Sequence, residues 1–194
     1  MNHTDDEAAA ACRCRIFGMP RKFAVHSGGI AAVEFAIILP LMLLMYLGSF
    51  QICEMVAVKR QVTLSASSVA NIVTQYASIS ATNDLPDILQ ASAIVLTPYS
   101  SSNAIVIVSL ITIDASGKAT VTWSQSLPAG KGRANGQTIT LPPGLDVAST
   151  ALVLGETTYA YKPTIDFLHM GTTSLYSSVY MLPRSSSGTI NETP

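Results

Sequence analysis

Four neighbouring positions, Gly28, Gly29, Ile30 and Glu34, offer the clearest reactive pattern in this chain. From Ile30 to Phe50 the chain runs for 21 residues with Glu34 as its single charge. As a helix this run is about 30 Å long, the thickness of a bilayer's hydrocarbon core. A carboxylate inside such a run is costly, so an intramembrane glutamate is read first as functional. The glycine pair ahead of it offers backbone that a peptidase can approach with no side chain in the way. A cut between Gly29 and Ile30 makes Glu34 the fifth residue of the product, beside a new α-amine that is cationic at neutral pH. An unpaired carboxylate at low dielectric would instead take up a proton. Glu34 therefore needs a partner in the membrane; the alternative is a side chain that snorkels to the interface one turn away. Pro40 removes one helical hydrogen bond and predicts a kink around Ala36 to Leu39, in a setting where proline is tolerated.

Other chemistries lack their parts. His3, His26 and His169 are far apart and follow no metal-binding spacing. Cys12 and Cys14 form a pair without the further ligands a metal needs. Cys53 sits at the far end of the apolar run, and the rest of the chain has no cysteine for a disulfide framework. No Gly-x-Ser-x-Gly elbow occurs, and Lys118 and Lys131 follow glycines without the remainder of a phosphate-binding loop. Lys131 and Arg133 read as solvation of a flexible loop, and Trp123 as core. A net charge of −1 argues against a broad field for nucleic acid. The sequence predicts no enzyme, cofactor, metal, nucleic acid or small-molecule substrate.

The letters GGIAAVEFAIILPLMLL put a glutamate five places after the glycine pair and a proline six residues after that glutamate. This stretch resembles the processing signal of type IV pilins and pseudopilins. More narrowly, it is similar to the TadE-like family of pilin-like proteins from tight-adherence (Flp-type) pilus systems, and the ending MLPR with Arg184 is a generic further match. The resemblance implies cleavage between Gly29 and Ile30 by a membrane aspartyl prepilin peptidase at the cytoplasmic face. It implies pairing of Glu34 with the N-terminal amine of a neighbouring subunit. It further implies a minor subunit of the bacterial inner membrane that supports pilus assembly and surface attachment. The expected partners are membrane lipid, the peptidase, other pilins and the assembly machinery. An uncut single-pass scaffold that binds periplasmic components is the alternative. A secretory signal peptide fits poorly, because the run is long, contains Glu34 and lacks a prompt small-x-small site.

Several elements must position these residues. A mean hydropathy of +0.38 with only 12% charged residues is too apolar for an ordinary soluble chain. Residues 1–29 read as a polar leader, where Gly18, Pro20, Gly28 and Gly29 oppose a long helix. Arg13, Arg15, Arg21 and Lys22 precede the run, against Lys59 and Arg60 after it, so the N-terminus is expected in the cytoplasm. Residues 30–50 form the transmembrane helix. Residues 51–79 continue it as an amphipathic helix, with Ile52, Met55, Val56, Lys59, Val62, Ala66, Val69, Ile72, Val73 and Tyr76 on one face. Gln51, Glu54, Arg60, Ser67, Asn71 and Gln75 fall on the other. One helix from near Ile30 to near Tyr76 is the simplest form; a hinge at Gly48-Ser49 is the alternative.

Residues 80–194 are expected to form an exported α+β domain, with the long helix packed on an antiparallel sheet of about four or five strands. A short helix follows Asn83 or Asp84 as its cap, burying Leu85, Ile88, Leu89 and Ala93. Asn103 to Ile113 is apolar on both alternations, as a central strand should be. Asp114 to Lys118 reads as a hairpin turn. Ala119, Val121 and Trp123 share the buried face of the next strand. Gln137 to Leu141 is a short strand, Asp146 to Tyr161 a long one bent at Gly155, and Ser174 to Leu182 the last. The tail from Pro183 reads as frayed.

Overall fold

The computed structural model describes residues 27–163, 171–185 and 190–193. The leader as far as residue 26, most of the connection after Pro163 and part of the tail lie outside the described residues. Helix α1 spans Ser27–Val73, 47 residues, and runs unbroken through Pro40 and through Gly48-Ser49. Contacts divide the chain into two units, Met1–Met45 and Tyr46–Pro194. In the first, every large apolar side chain of α1 is exposed, from Ile30 and Phe35 to Leu44 and Met45. In water that surface is untenable, and length and composition suit it to a membrane crossing.

In the second unit the fold is α+β. Strands β2 (Ala104–Ile113), β3 (Ala119–Leu127), β4 (Ala151–Tyr161) and β5 (Thr173–Met181) form an antiparallel sheet in the order β3-β2-β4-β5. The apolar strand β2 is central and covered on both faces, as its composition predicts. The lower part of α1 packs on one face through Val58, Val62, Ala66, Val69, Ala70 and Val73, all fully buried. Each buried valine contributes about 1.5 kcal/mol or more. Helix α2 (Asp84–Ile94) adds Leu85, Ile88, Leu89 and Ala93 to the same core. Ser65 ties the two helices by donating to the Ser92 carbonyl at 2.8 Å. Asn83 stands at the cap position of α2 without a side-chain capping bond. Asp84 instead accepts from the Ser80 N–H at 2.9 Å.

The hairpin turn forms as expected, with Asp114 Oδ1 accepting from the N–H groups of Ser116 and Lys118 and Gly117 at φ 80°. Other expectations are corrected. First, the buried stripe of α1 is rotated from the predicted one. Ile52 and Val56 are exposed while Gln51 is buried, because the sheet takes the small residues Ser65, Ala66 and Ala70. Second, Trp123 does not share a face with Ala119 and Val121. The β2–β3 register shifts between Leu110 and Ile111, leaving Thr122 as an extra residue and sending Val121 and Ala119 to the far face opposite Ile111 and Ile113. Third, residues Gln137 to Leu141 make only an isolated bridge, Thr120 to Thr138, before Pro142-Pro143. Fourth, the tail is not wholly frayed: β6 (Asn191–Thr193) pairs in parallel with β1 (Ser78–Ser80).

Gly155 is likewise no bend, since β4 keeps its register with both neighbours through it. A Cβ there would stand 2.4 Å from the Ala66 carbonyl oxygen and 3.0 Å from the Ala70 Cβ. The missing side chain lets the helix backbone lie directly on the strand. Gly155→Ala is therefore expected to destabilise the domain by about 2–3 kcal/mol, because backbone must shift to admit the methyl. Gly48→Ala, where nothing lies within 4 Å of a new Cβ, should be neutral or gain up to about 1 kcal/mol. Denaturant unfolding of the detergent-solubilised chain, followed by Trp123 fluorescence, measures both.

Candidate functional site

The residues expected to carry function sit at the start of α1. The helix begins at Ser27, so the Gly29–Ile30 peptide bond lies in its first turn and not in an extended segment ahead of it. First-turn N–H groups have no intrahelical acceptor, so this is the least firmly held turn of the helix. A Cβ on Gly29 would meet nothing within 4 Å, and Ile30 is exposed. Among the described residues nothing covers this bond. Glu34 follows one turn later on an exposed surface, surrounded in sequence by apolar residues that are themselves exposed. Pro40 lies inside the helix, six residues further on. Ile30, Glu34 and the exposed apolar residues together form a rod surface carrying one charge.

The domain holds a second acidic residue in an apolar setting, and sequence reasoning missed its role. Glu156 is 4% exposed in the middle of β4. Arg133, expected to be solvating a loop, reaches across the far face of the sheet and grips it. Its Nε donates to Glu156 Oε2 at 2.8 Å and its Nη2 to Oε1 at 2.7 Å. The Tyr176 hydroxyl donates to Oε1 at 2.5 Å. Burial alone pushes the Glu156 carboxyl up, but the hydrogen bonds from Arg133 and Tyr176 and the guanidinium charge outweigh it and hold the group below the ordinary range. Donating to Glu156 in turn raises the Arg133 guanidinium. The loop is fastened further where Ser124 Oγ accepts from the Arg133 N–H and Ser126 Oγ from the Lys131 N–H, each at 2.9 Å. The available signal was the glutamate itself, in ALVLGETTYAY, since a buried carboxylate demands a partner.

Near the other end of the domain, Tyr161 donates to Glu54 at 3.2 Å. Burial and the Glu54 carboxylate push the Tyr161 hydroxyl up to about 12. Arg184 closes the lower end of α1: its N–H donates to the Thr74 carbonyl at 2.8 Å and its guanidinium to Asn71 Oδ1 at 3.1 Å. A cation there suits the negative end of the helix. Trp123 is core, as its composition predicts, at 2% exposure. Among the described residues no group of three or more His, Cys, Asp or Glu side chains is arranged for a metal.

Comparison with known proteins bears on α1 alone. Residues 29–71 match the family model of TadE-like protein. The match begins at Gly29, at the expected cut, and ends within α1, two residues before Val73. No curated protein matches the chain, and no solved structure does. The TadE-like segment therefore comprises the apolar run with Glu34 and the part of α1 that packs on the sheet, while the strands fall outside the match.

Glu156 provides a test of how the domain is held. Arg133→Ala leaves a buried carboxylate without its cation and is expected to cost about 3 kcal/mol. Because the folded carboxyl titrates below its unfolded value of about 4.3, its contribution is complete above that pH. It is lost as pH falls through the folded value. A series of melting temperatures from neutral to acid pH should show this loss in the native chain and a flatter profile in Glu156→Gln.

Proposed function

We propose that this chain is a pilin-like subunit of a tight-adherence pilus system, acting as a structural component. The observation that carries the reading is the TadE-like match over residues 29–71, whose first half is a lipid-length run with Glu34 as its one charge. In this reading residues 30–50 store the subunit in the inner membrane, with the leader in the cytoplasm and residues 80–194 exported. A prepilin peptidase removes the leader at Gly29–Ile30. Glu34 then finds the new α-amine of a neighbouring subunit, and the ion pair sets the register between helices in a medium that penalises either charge alone. Pro40 loosens the helix six residues later. The sheet presents a surface to the fibre or to the assembly machinery, in support of attachment.

One observation favours a second reading, in which the chain stays uncut as a membrane scaffold. Helix α1 begins before the glycine bond, so cleavage needs a helical turn to open. The N-terminal residue of membrane-purified protein decides between them: Ile30 is expected, and an intact Met1 removes the processed subunit from consideration. Gly29→Leu should block maturation. Glu34→Ala should mature normally yet lower piliation severalfold, as counted by electron microscopy; unchanged piliation would count against the pairing.

A further inference from the structure

A groove of about 530 Å³ opens between α1 and the edge strand β5, lined by Ile52, Met55, Val56, Lys59 and the Ser174–Tyr176 segment. Its helical wall is apolar and uncovered, with Ile52 and Val56 55% and 63% exposed. From Gln51 to Val73 the only other large apolar residue of α1 so exposed is Leu64. Among the described residues nothing covers these two. Lys59 closes the groove at the end remote from Phe50 by donating to the Tyr176 carbonyl. An ammonium has three donors, so two remain after that bond. Arg60 stands exposed beside it.

The position of this wall along the helix identifies the occupant. Ile52 lies about 3 Å past Phe50 along the axis, Val56 about 9 Å and Lys59 about 13 Å. The headgroup layer adds about 5–8 Å to each side of the hydrocarbon core. Amphipathic helices sink about 5–10 Å into this boundary. Helical side chains lean toward the N-terminus, so Lys59 leans back over Met55 and Val56 toward the bilayer. Glu54, the nearest carboxylate on α1, is bonded by Tyr161 and lies on the opposite side of the helix from Ile52 and Val56.

We infer that this groove seats a glycerophospholipid of the bilayer, whose acyl chain lies along Ile52, Met55, Val56 and Leu175 while its phosphate rests on Lys59 and Arg60. The exported domain is thereby held down on the membrane surface until the subunit is withdrawn. The inference rests on Ile30–Phe50 being a membrane span, and its test separates the two. The full chain, with Cys12, Cys14 and Cys53 changed to Ser, is reconstituted in vesicles of phosphatidylethanolamine and phosphatidylglycerol. A spin label is placed in turn at Leu43→Cys, Val56→Cys and Leu64→Cys, and collision with oxygen is compared with collision with a water-soluble nickel complex. The expected result is a label at Val56 shielded from nickel severalfold more than one at Leu64. That shielding should weaken when Lys59→Glu and Arg60→Glu are added. A Val56 label as open to nickel as Leu64, with Leu43 still shielded, overturns the lipid seat and leaves the span standing. A Leu43 label open to nickel overturns both. Shielding of Val56 that vanishes on diluting the protein in the same lipid assigns the groove to a second copy of the chain, and also overturns the proposal.

Discussion

The carbonyl oxygen of Ala66 occupies the space that a side chain at position 155 would need, and the domain is arranged around that contact. A helix normally stands off a sheet by the length of two side chains. Here the small residues Ser65, Ala66 and Ala70 on α1 and the glycine on β4 bring backbone against strand. The valines on either side, at 58, 62, 69 and 73, then reach the sheet's own apolar side chains and are buried completely. Helix α2 fits into the remaining space, tied through Ser65 and Ser92. The rotation of α1 that makes this possible also turns Ile52 and Val56 outward. The exposed groove beside β5 is thus a consequence of the core packing and not a defect in it.

Two glutamates in apolar sequence meet the same physical problem in different ways. Glu156 is surrounded by protein, and the chain supplies its partners: a bidentate guanidinium and a phenol hydroxyl. The cost of desolvating the carboxylate is offset within one fold, and the loop bearing Arg133 is fastened over the far face of the sheet as a result. Glu34 lies in the stretch of α1 from Ile30 to Met45 where every large apolar side chain is exposed, a surface suited to lipid. Among the described residues no side chain is bonded to it, and in the function proposed above its compensation comes from a neighbouring subunit, where that of Glu156 comes from its own fold.

Much of the architecture was legible in the residues because it depends on local period and on turn chemistry. The apolar run, the single long helix, the buried face of α2, the central strand β2 and the Asp114–Lys118 turn all follow from patterns a few residues long. The misreadings cluster where two distant segments meet. Gly155 looked like a bend because a glycine in a strand is a weak point in isolation; the reason for it lies on α1, far away in sequence. Arg133 looked solvated because its loop is polar and glycine-rich, and nothing nearby announced Glu156. The extra residue at Thr122 turns half of β3 over, and only the register against β2 reveals it. The partner of β1 comes from the far end of the chain.

By itself, then, the sequence determined that this chain carries a lipid-length helix with one buried-type charge placed five residues after a glycine bond. That much is set by composition and spacing, which act along the chain and need no fold. Tertiary structure alone decided which side of the amphipathic half faces the sheet, which cation answers Glu156, and which apolar side chains stay uncovered beside β5. Those outcomes depend on shape and on close approach between segments distant in sequence, and hydrophobic period does not encode the distance at which two backbones can meet.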